Sequence, residues 1–189
     1  MLNVNRIVHS TRAEGPGLRC CVWTQGCSIH CEGCFAHDKW DFTPRWLVSP
    51  ADILDSVLPT EEGLTVLGGE PFDQAEPLAE LLCSAQQRGL STVVFTGYTL
   101  EVLRARRNVD IDRALAHIDV LIDGPYVDKQ AQNSRPLVGS SNQRFLFLTD
   151  RYTAADFESN RLEIRIGTNG SIGINGMADS ATLQSIHQL

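Results

Sequence analysis

The amino-acid sequence predicts an α/β fold on a mainly parallel sheet, an open or partial barrel of about four to six βα units. Two observations predict it. Short runs rich in Val, Leu and Phe alternate with segments of helical period. Polar or glycine-rich residues recur where those runs end. The chain of 189 residues can bury one core without disulfides, so it reads as a single domain over 1–189 with a C-terminal extension from about residue 150.

The elements follow in order. LRCCVWTQG (18–26) reads as a buried strand that opens directly into a cysteine loop. PADILDSVLP (50–59) reads as a helix with Ser49 as its N-cap and Pro50 at its first position. LTVLGGEP (64–71) is a short strand stopped by a Gly-Gly turn. Residues 73–88 read as a helix, because Leu78, Leu81, Leu82 and Ala85 share a face and Gly89 ends it. STVVFTGY (91–98) is a second strand, followed by helices near 99–106 and 110–116. IDVLIDGPY (118–126) and RFLFLTD (144–150) are two more strands. LEIRIGTNGSIGING (162–176) reads as a terminal hairpin that turns at Asn169-Gly170. In parallel α/β folds the carboxyl tips of the strands lie on one face, where ligands bind. Gly26-Cys27, Gly68-Gly69-Glu70, Thr96-Gly97-Tyr98 and Asp123-Gly124 are therefore expected to converge.

Composition narrows the function. Apolar residues make up 42% of the chain and charged residues 21%, as in ordinary globular proteins. The net charge of −7 leaves no basic excess for nucleic acid or an anionic membrane. No apolar run reaches the ~18 residues of a membrane span, and MLNVNRIVHSTRAEG lacks the apolar core of a signal peptide. The expected compartment is the cytoplasm, where thiols stay reduced. Clustered cysteines then read as ligands or catalysts rather than as a disulfide framework.

Half of the six cysteines fall in eight positions, Cys27, Cys31 and Cys34. A structural zinc site needs four ligands, and His30 or His37 would have to supply the fourth. A redox pair would use Cys31 and Cys34 and leave Cys27 without a role. Three buried structural cysteines fit poorly in a loop rich in Ser, His, Glu and Gly. An iron–sulfur cluster on three thiolates leaves one iron open to a ligand that is not protein, which gives the odd number a purpose. Cys20 and Cys21 point to opposite faces of their strand; with Cys83 they read as buried free thiols.

CSIHCEGC (27–34) matches the CxxxCxxC signature of radical S-adenosylmethionine (SAM) enzymes. GPGLRCCVWTQGC, GGEP at 68–71, TGY at 96–98, DVLIDG at 119–124 and GSSNQR at 139–144 follow the order of one of their branches. From about residue 5 to 176 the chain resembles the small activating enzymes of glycyl-radical enzymes, in their ribonucleotide-reductase branch. Gly33, before the last cysteine, agrees with that branch, whereas Val138 stands where Arg is common.

The resemblance implies a partial βα barrel of the radical SAM type. It implies a [4Fe–4S] cluster on Cys27, Cys31 and Cys34, with S-adenosyl-L-methionine on the open iron. One electron into the cluster cleaves the cofactor to a 5′-deoxyadenosyl radical that abstracts hydrogen. Gly68, Gly69 and Glu70 are expected at the cofactor's methionine part, with the Glu70 carboxylate toward its ammonium. Thr96 and Asp123 are expected to hydrogen-bond the cofactor, and Phe35 to pack beside the cluster or the adenine. The implied partners are a glycyl-radical enzyme and a flavodoxin or ferredoxin as electron donor. A small-molecule substrate, with 126–143 and 150–189 closing the pocket, is the alternative. A non-catalytic iron–sulfur or zinc module is the third reading.

Overall fold

The computed structural model describes residues 1–132, 134–157 and 162–177. Its strands are β1 (Leu2–Thr11), β2 (Arg19–Thr24), β3 (Leu47–Val48), β4 (Gly63–Gly68), β5 (Ser91–Phe95), β6 (Val120–Asp123), β7 (Arg144–Phe147), β8 (Leu162–Ile166) and β9 (Ile172–Gly176). The helices are α1 (Pro50–Asp55), α2 (Ala75–Gln87), α3 (Leu100–Ala105) and α4 (Val109–Leu115). The first seven strands form one mixed sheet in the order β3-β1-β2-β4-β5-β6-β7.

Strands β2, β4, β5 and β6 are parallel neighbours. They are joined by α1, by α2 and by the α3–α4 pair. The parallel strands thus stand at the lower bound of the expected count of units. β7 pairs antiparallel with β6, because the chain between them has no α-helix to carry it back across the sheet. β1 was not evident in the sequence. Its apolar residues lose their period-two order where the register shifts between Val4 and Arg6.

The sheet has two covered faces. Val22, Leu64, Val66, Val94 and Leu121 pack under Leu78, Leu81 and Leu82 of α2 and Leu103 of α3. Val93, Val120 and Ile122, on the other face, pack against Leu137, Val138, Phe145 and Phe157. This explains the departure at Val138, which is fully buried and fills the second core. β2 is buried along its whole length, as expected of a central parallel strand. Capping sets the helix starts: the Ser49 hydroxyl accepts the Asp52 N–H at 3.0 Å, with Pro50 beginning α1.

β8 and β9 pair as a hairpin, but its turn is longer than Asn169-Gly170. It spans 167–171, closed by Gly167 N–H donating to Ser171 O at 2.7 Å. Arg165 ties the hairpin to β1 by donating to the carbonyls of His9 and Ser10 at 2.6 and 2.8 Å. The tail beyond 177, part of the expected extension, lies outside the described residues. Among the described residues no helix is long and apolar enough to cross a membrane.

Candidate metal and cofactor site

The cysteine loop begins where β2 ends. Gly26 turns the chain at φ +99, and a Cβ there would come within 2.6 Å of the Phe42 ring. Cys27 is buried, and Cys31 and Cys34 are half-buried. Peptide N–H groups face the sulfurs: Ala36 N–H donates to Cys34 Sγ at 3.4 Å. Burial pushes the Cys27 and Cys31 thiols up from their ordinary value. Backbone hydrogen bonds from His30 and Ile29 at Cys27, and from Tyr126 at Cys31, pull them part of the way back. Such N–H donors favour the thiolate, the form that binds iron.

Two contacts hold this loop on the sheet. Gly26 O accepts the Glu70 N–H at 2.8 Å, while Gly69 N–H donates to Thr24 O at 2.9 Å. A Cβ on Gly69 would come within 2.2 Å of Gly26 O, so only glycine permits this approach. The second contact is a clamp absent from the sequence reading. Ser28 N–H donates to Asp73 Oδ2 at 2.7 Å. The Ser28 and Tyr98 hydroxyls, 2.6 Å apart, both face Asp73 Oδ1, at 3.0 and 3.1 Å. Arg106 covers the Tyr98 ring, with its guanidinium carbon 3.8 Å from the centroid. Only the position of Asp73, just past GGEP, could have hinted at this clamp.

The tips of β2, β4 and β5 and the segment after the cysteines line one open cleft of ≈ 330 Å³. Gly68, Gly69, Thr96 and Phe35 line it, as do Trp23 and Gln143, from the GPGLRCCVWTQGC and GSSNQR motifs. Phe35 is 82% exposed and stands edge-on to Tyr126 at 6.2 Å.

Glu70 and Asp123 do not line this cleft. The Glu70 carboxylate is buried and accepts three hydrogen bonds, from Phe72 N–H, the Thr96 hydroxyl and Gly97 N–H, at 2.8–2.9 Å. Burial raises its pKa to about 7 against the pull of those donors. Through these bonds it ties the β4 tip to the β5 tip. Asp123 accepts the Leu100 N–H at 2.8 Å and a two-pronged contact from Arg144 at 2.8 and 2.6 Å. Arg144 also reaches Glu101.

His30 stacks on Trp40 at 4.6 Å, and His37 meets the same ring edge-on. Among the described residues, one group of three or more metal-ligating side chains has its ligand atoms within 4.8 Å of one another, and it includes no residue of the loop. The loop thiols, with or without these histidines, are spread more widely. Three thiols with no fourth protein ligand gathered beside them among the described residues suit a cluster with one open iron rather than a closed single-ion site, and the residues fit the group.

Comparison with known proteins agrees. A family model described as a 4Fe-4S single cluster domain matches residues 13–146. The anaerobic ribonucleoside-triphosphate reductase-activating protein of Haemophilus influenzae is 34% identical over 143 residues, covering 69% of this chain and 88% of that protein. The protein of the same name from Enterobacteria phage T4 is 29% identical over 159 residues, 79% of this chain and 96% of its own length. The pyruvate formate-lyase-activating enzyme of Staphylococcus epidermidis is 29% identical over 142 residues, 70% of this chain and 56% of its own length. The chain belongs to the radical S-adenosylmethionine activating enzymes, whose cofactors are a single [4Fe–4S] cluster and S-adenosylmethionine.

Proposed function

We propose that Cys27, Cys31 and Cys34 hold the cluster, that the adjoining cleft takes S-adenosylmethionine, and that the substrate is a glycine Cα–H of a glycyl-radical enzyme. By likeness to the relatives, that enzyme is an anaerobic ribonucleoside-triphosphate reductase. One observation carries the reading. The cysteine loop is fastened over the carboxyl tips of β2 and β4, and Phe35 and Ala36, directly after Cys34, border the glycine-lined cleft. When bound, the two groups supply reductive cleavage of a sulfonium and a carbon-centred radical able to abstract hydrogen.

The chain's own residues orient and shield. Gly68 and Gly69, without Cβ atoms, let the β4 tip lie close against Thr24 and Gly26, and their backbone in the cleft would receive the cofactor. Trp23 and Phe95 give the cleft apolar walls that exclude water. Glu70, through Thr96 and Gly97, fixes the distance between two tips. The Asp123–Arg144 pair holds the end of β6 against α3, so we assign Asp123 and Glu70 positioning roles. Phe35, on the open rim, offers an apolar contact to an entering protein loop. The seven-stranded sheet is read as the partial barrel of the superfamily. A reduced flavodoxin or ferredoxin in the cytoplasm is the proposed electron source.

The test is anaerobic reconstitution with iron and sulfide, then EPR of the reduced protein with and without S-adenosylmethionine, and an assay for 5′-deoxyadenosine. A [4Fe–4S]+ signal that shifts on addition, with product formed, is expected. Adding an anaerobic ribonucleotide reductase should then give a glycyl-radical doublet in that partner. A cluster indifferent to S-adenosylmethionine would overturn the enzymatic reading. Cleavage with no radical in the partner would leave a small-molecule substrate.

A further inference from the structure

At the opposite end of the sheet, β1, β2 and the turn before β4 bring three metal-ligating side chains together. They are His9, Cys20 and Glu61, whose ligand atoms all lie within 4.8 Å of one another. We propose that these residues form a second metal site, selective for Zn2+, with a fourth position open to water on the His9 side.

The backbone builds the site. Val8 pairs with Cys21 across β1 and β2, so alternation puts His9 and Cys20 together on the other face. The register then breaks between Val8 and Thr11, and Ser10 takes a left-handed φ of +53. This bulge is fixed from two sides. Its Ser10 N–H donates to Glu61 Oε1 at 2.5 Å. Its carbonyls at His9 and Ser10 accept from Arg165 of the hairpin. Glu61 Oε2 accepts the Leu58 N–H at 2.7 Å and faces His9 Nδ1 at 3.4 Å. The carboxylate is therefore oriented by the backbone before any ion arrives, with lone pairs to spare.

The donors differ in what they leave unused. Cys20 is fully buried, and its sulfur has no hydrogen-bond partner among the described residues. The Glu61 side chain is also buried, whereas that of His9 is 34% exposed. His9 is thus the ligand free to swing inward and the route by which an ion and a water enter. One thiolate, one imidazole and one carboxylate are a mixed set that suits Zn2+ better than Mg2+ or Ca2+, which prefer all-oxygen shells. Three protein ligands with an open fourth position match the pattern of non-structural zinc sites. The ion would staple β1 to β2 and to the turn entering β4. Cys20 lies near the start of β2 and Cys27 beyond its end, so the staple is separate from the cysteine loop.

The experiment measures zinc uptake by the full chain with its loop loaded with iron, dialysed against a Zn2+ buffer, followed by zinc K-edge X-ray absorption. The expected result is one zinc per chain with a single sulfur at about 2.3 Å and nitrogen or oxygen at about 2.0–2.1 Å. A Cys27→Ala/Cys31→Ala/Cys34→Ala chain should take up the same zinc with the same spectrum, whatever the loop normally holds. His9→Gln, at a partly exposed position that need not disturb folding, should weaken binding by about a hundredfold, since even groups behind ligands are worth about 10–100-fold. Zinc should raise the melting temperature of the parent and not that of His9→Gln. A spectrum with three or four sulfurs, no uptake by the triple variant, or unchanged affinity in His9→Gln would each overturn the site.

Discussion

The two ends of the parallel sheet bury polar groups in different ways. At the amino ends, Arg19 is fully buried and donates to Thr65 Oγ1, Ser91 Oγ and the carbonyls of Pro16, Leu64 and Ser91. No carboxylate pairs with it among the described residues, and burial pulls its pKa down. Asp119 nearby accepts the Thr92 N–H and the Thr149 hydroxyl. These donors and acceptors are spent on the fold. At the carboxyl ends, Glu70 and Asp123 are spent in the same manner, but on fastening the strand tips to their neighbours. What remains open there is backbone without Cβ atoms, and three thiols. Around Arg19 and Asp119 the amino end is saturated for stability; the carboxyl end is braced so that its unspent groups can take a ligand.

The sharpest way to break this contrast is Cys31→Ala. Cluster iron and 5′-deoxyadenosine formation should be almost wholly lost. The unfolding free energy of the iron-free chain should change by less than about 1 kcal/mol, because a half-buried loop residue carries little of the core. Iron assay, EPR and urea denaturation check it together. Arg19→Ala should do the reverse. Several buried acceptors lose their donor and a cavity opens, costing about 3–5 kcal/mol in urea denaturation. Product formed per folded, cluster-loaded molecule should hold. A loss of cleavage without a loss of stability in this variant would dissolve the distinction between the ends.

Glu70→Gln tests the bracing. The amide nitrogen cannot accept from Gly97 or Phe72, so one buried N–H goes unpaired, costing about 1–3 kcal/mol. The pH dependence gives a second readout. Glu70 rises from an ordinary 4.5 to about 7 because it is buried, so the folded chain holds that proton more tightly than the unfolded chain. Its stabilising contribution is complete below pH 4.5 and is lost as pH rises through about 7. Glu14, also raised to about 7 by burial, adds the same slope. Urea titrations across this window should show a shallower decline in Glu70→Gln than in the parent.

Tyr98→Phe should have the smallest effect. It removes one hydroxyl from the Ser28–Asp73 clamp, costing about 0.5–1.5 kcal/mol. Cleavage should slow by no more than about tenfold, with cluster content unchanged. Iron content that falls in Tyr98→Phe would show that the clamp holds the ligands themselves and not only the loop.

Local pattern carried much of the fold and part of the site. Ser49-Pro50 announced α1, and the spacing of Leu78, Leu81 and Leu82 announced α2, because capping and helical period are properties of neighbouring residues. The apolar runs of β2, β4, β5 and β6 were visible because strands buried on both faces carry few polar positions. β1 was not, since its bulges destroy the alternation that marks a strand. The direction of β7 was not either, because parallel or antiparallel pairing depends on how the connection returns.

The sequence by itself determined the chemistry: three thiols at CxxxCxxC, a glycine pair at a strand end, and the order of motifs that places the chain in its family. These are covalent facts of residue type and spacing. Only the tertiary structure decided where the carboxylates point. Glu70 and Asp123 stand in motifs visible in the sequence, but their burial and their bonds to the backbone and to Arg144 were not. A carboxylate taken out of water must find donors at once, and which donors lie nearest is set by strands far apart in sequence. Tertiary structure likewise decided the Ser28–Asp73–Tyr98 clamp and the meeting of His9, Cys20 and Glu61, for no local pattern joins side chains that sheet register alone brings together.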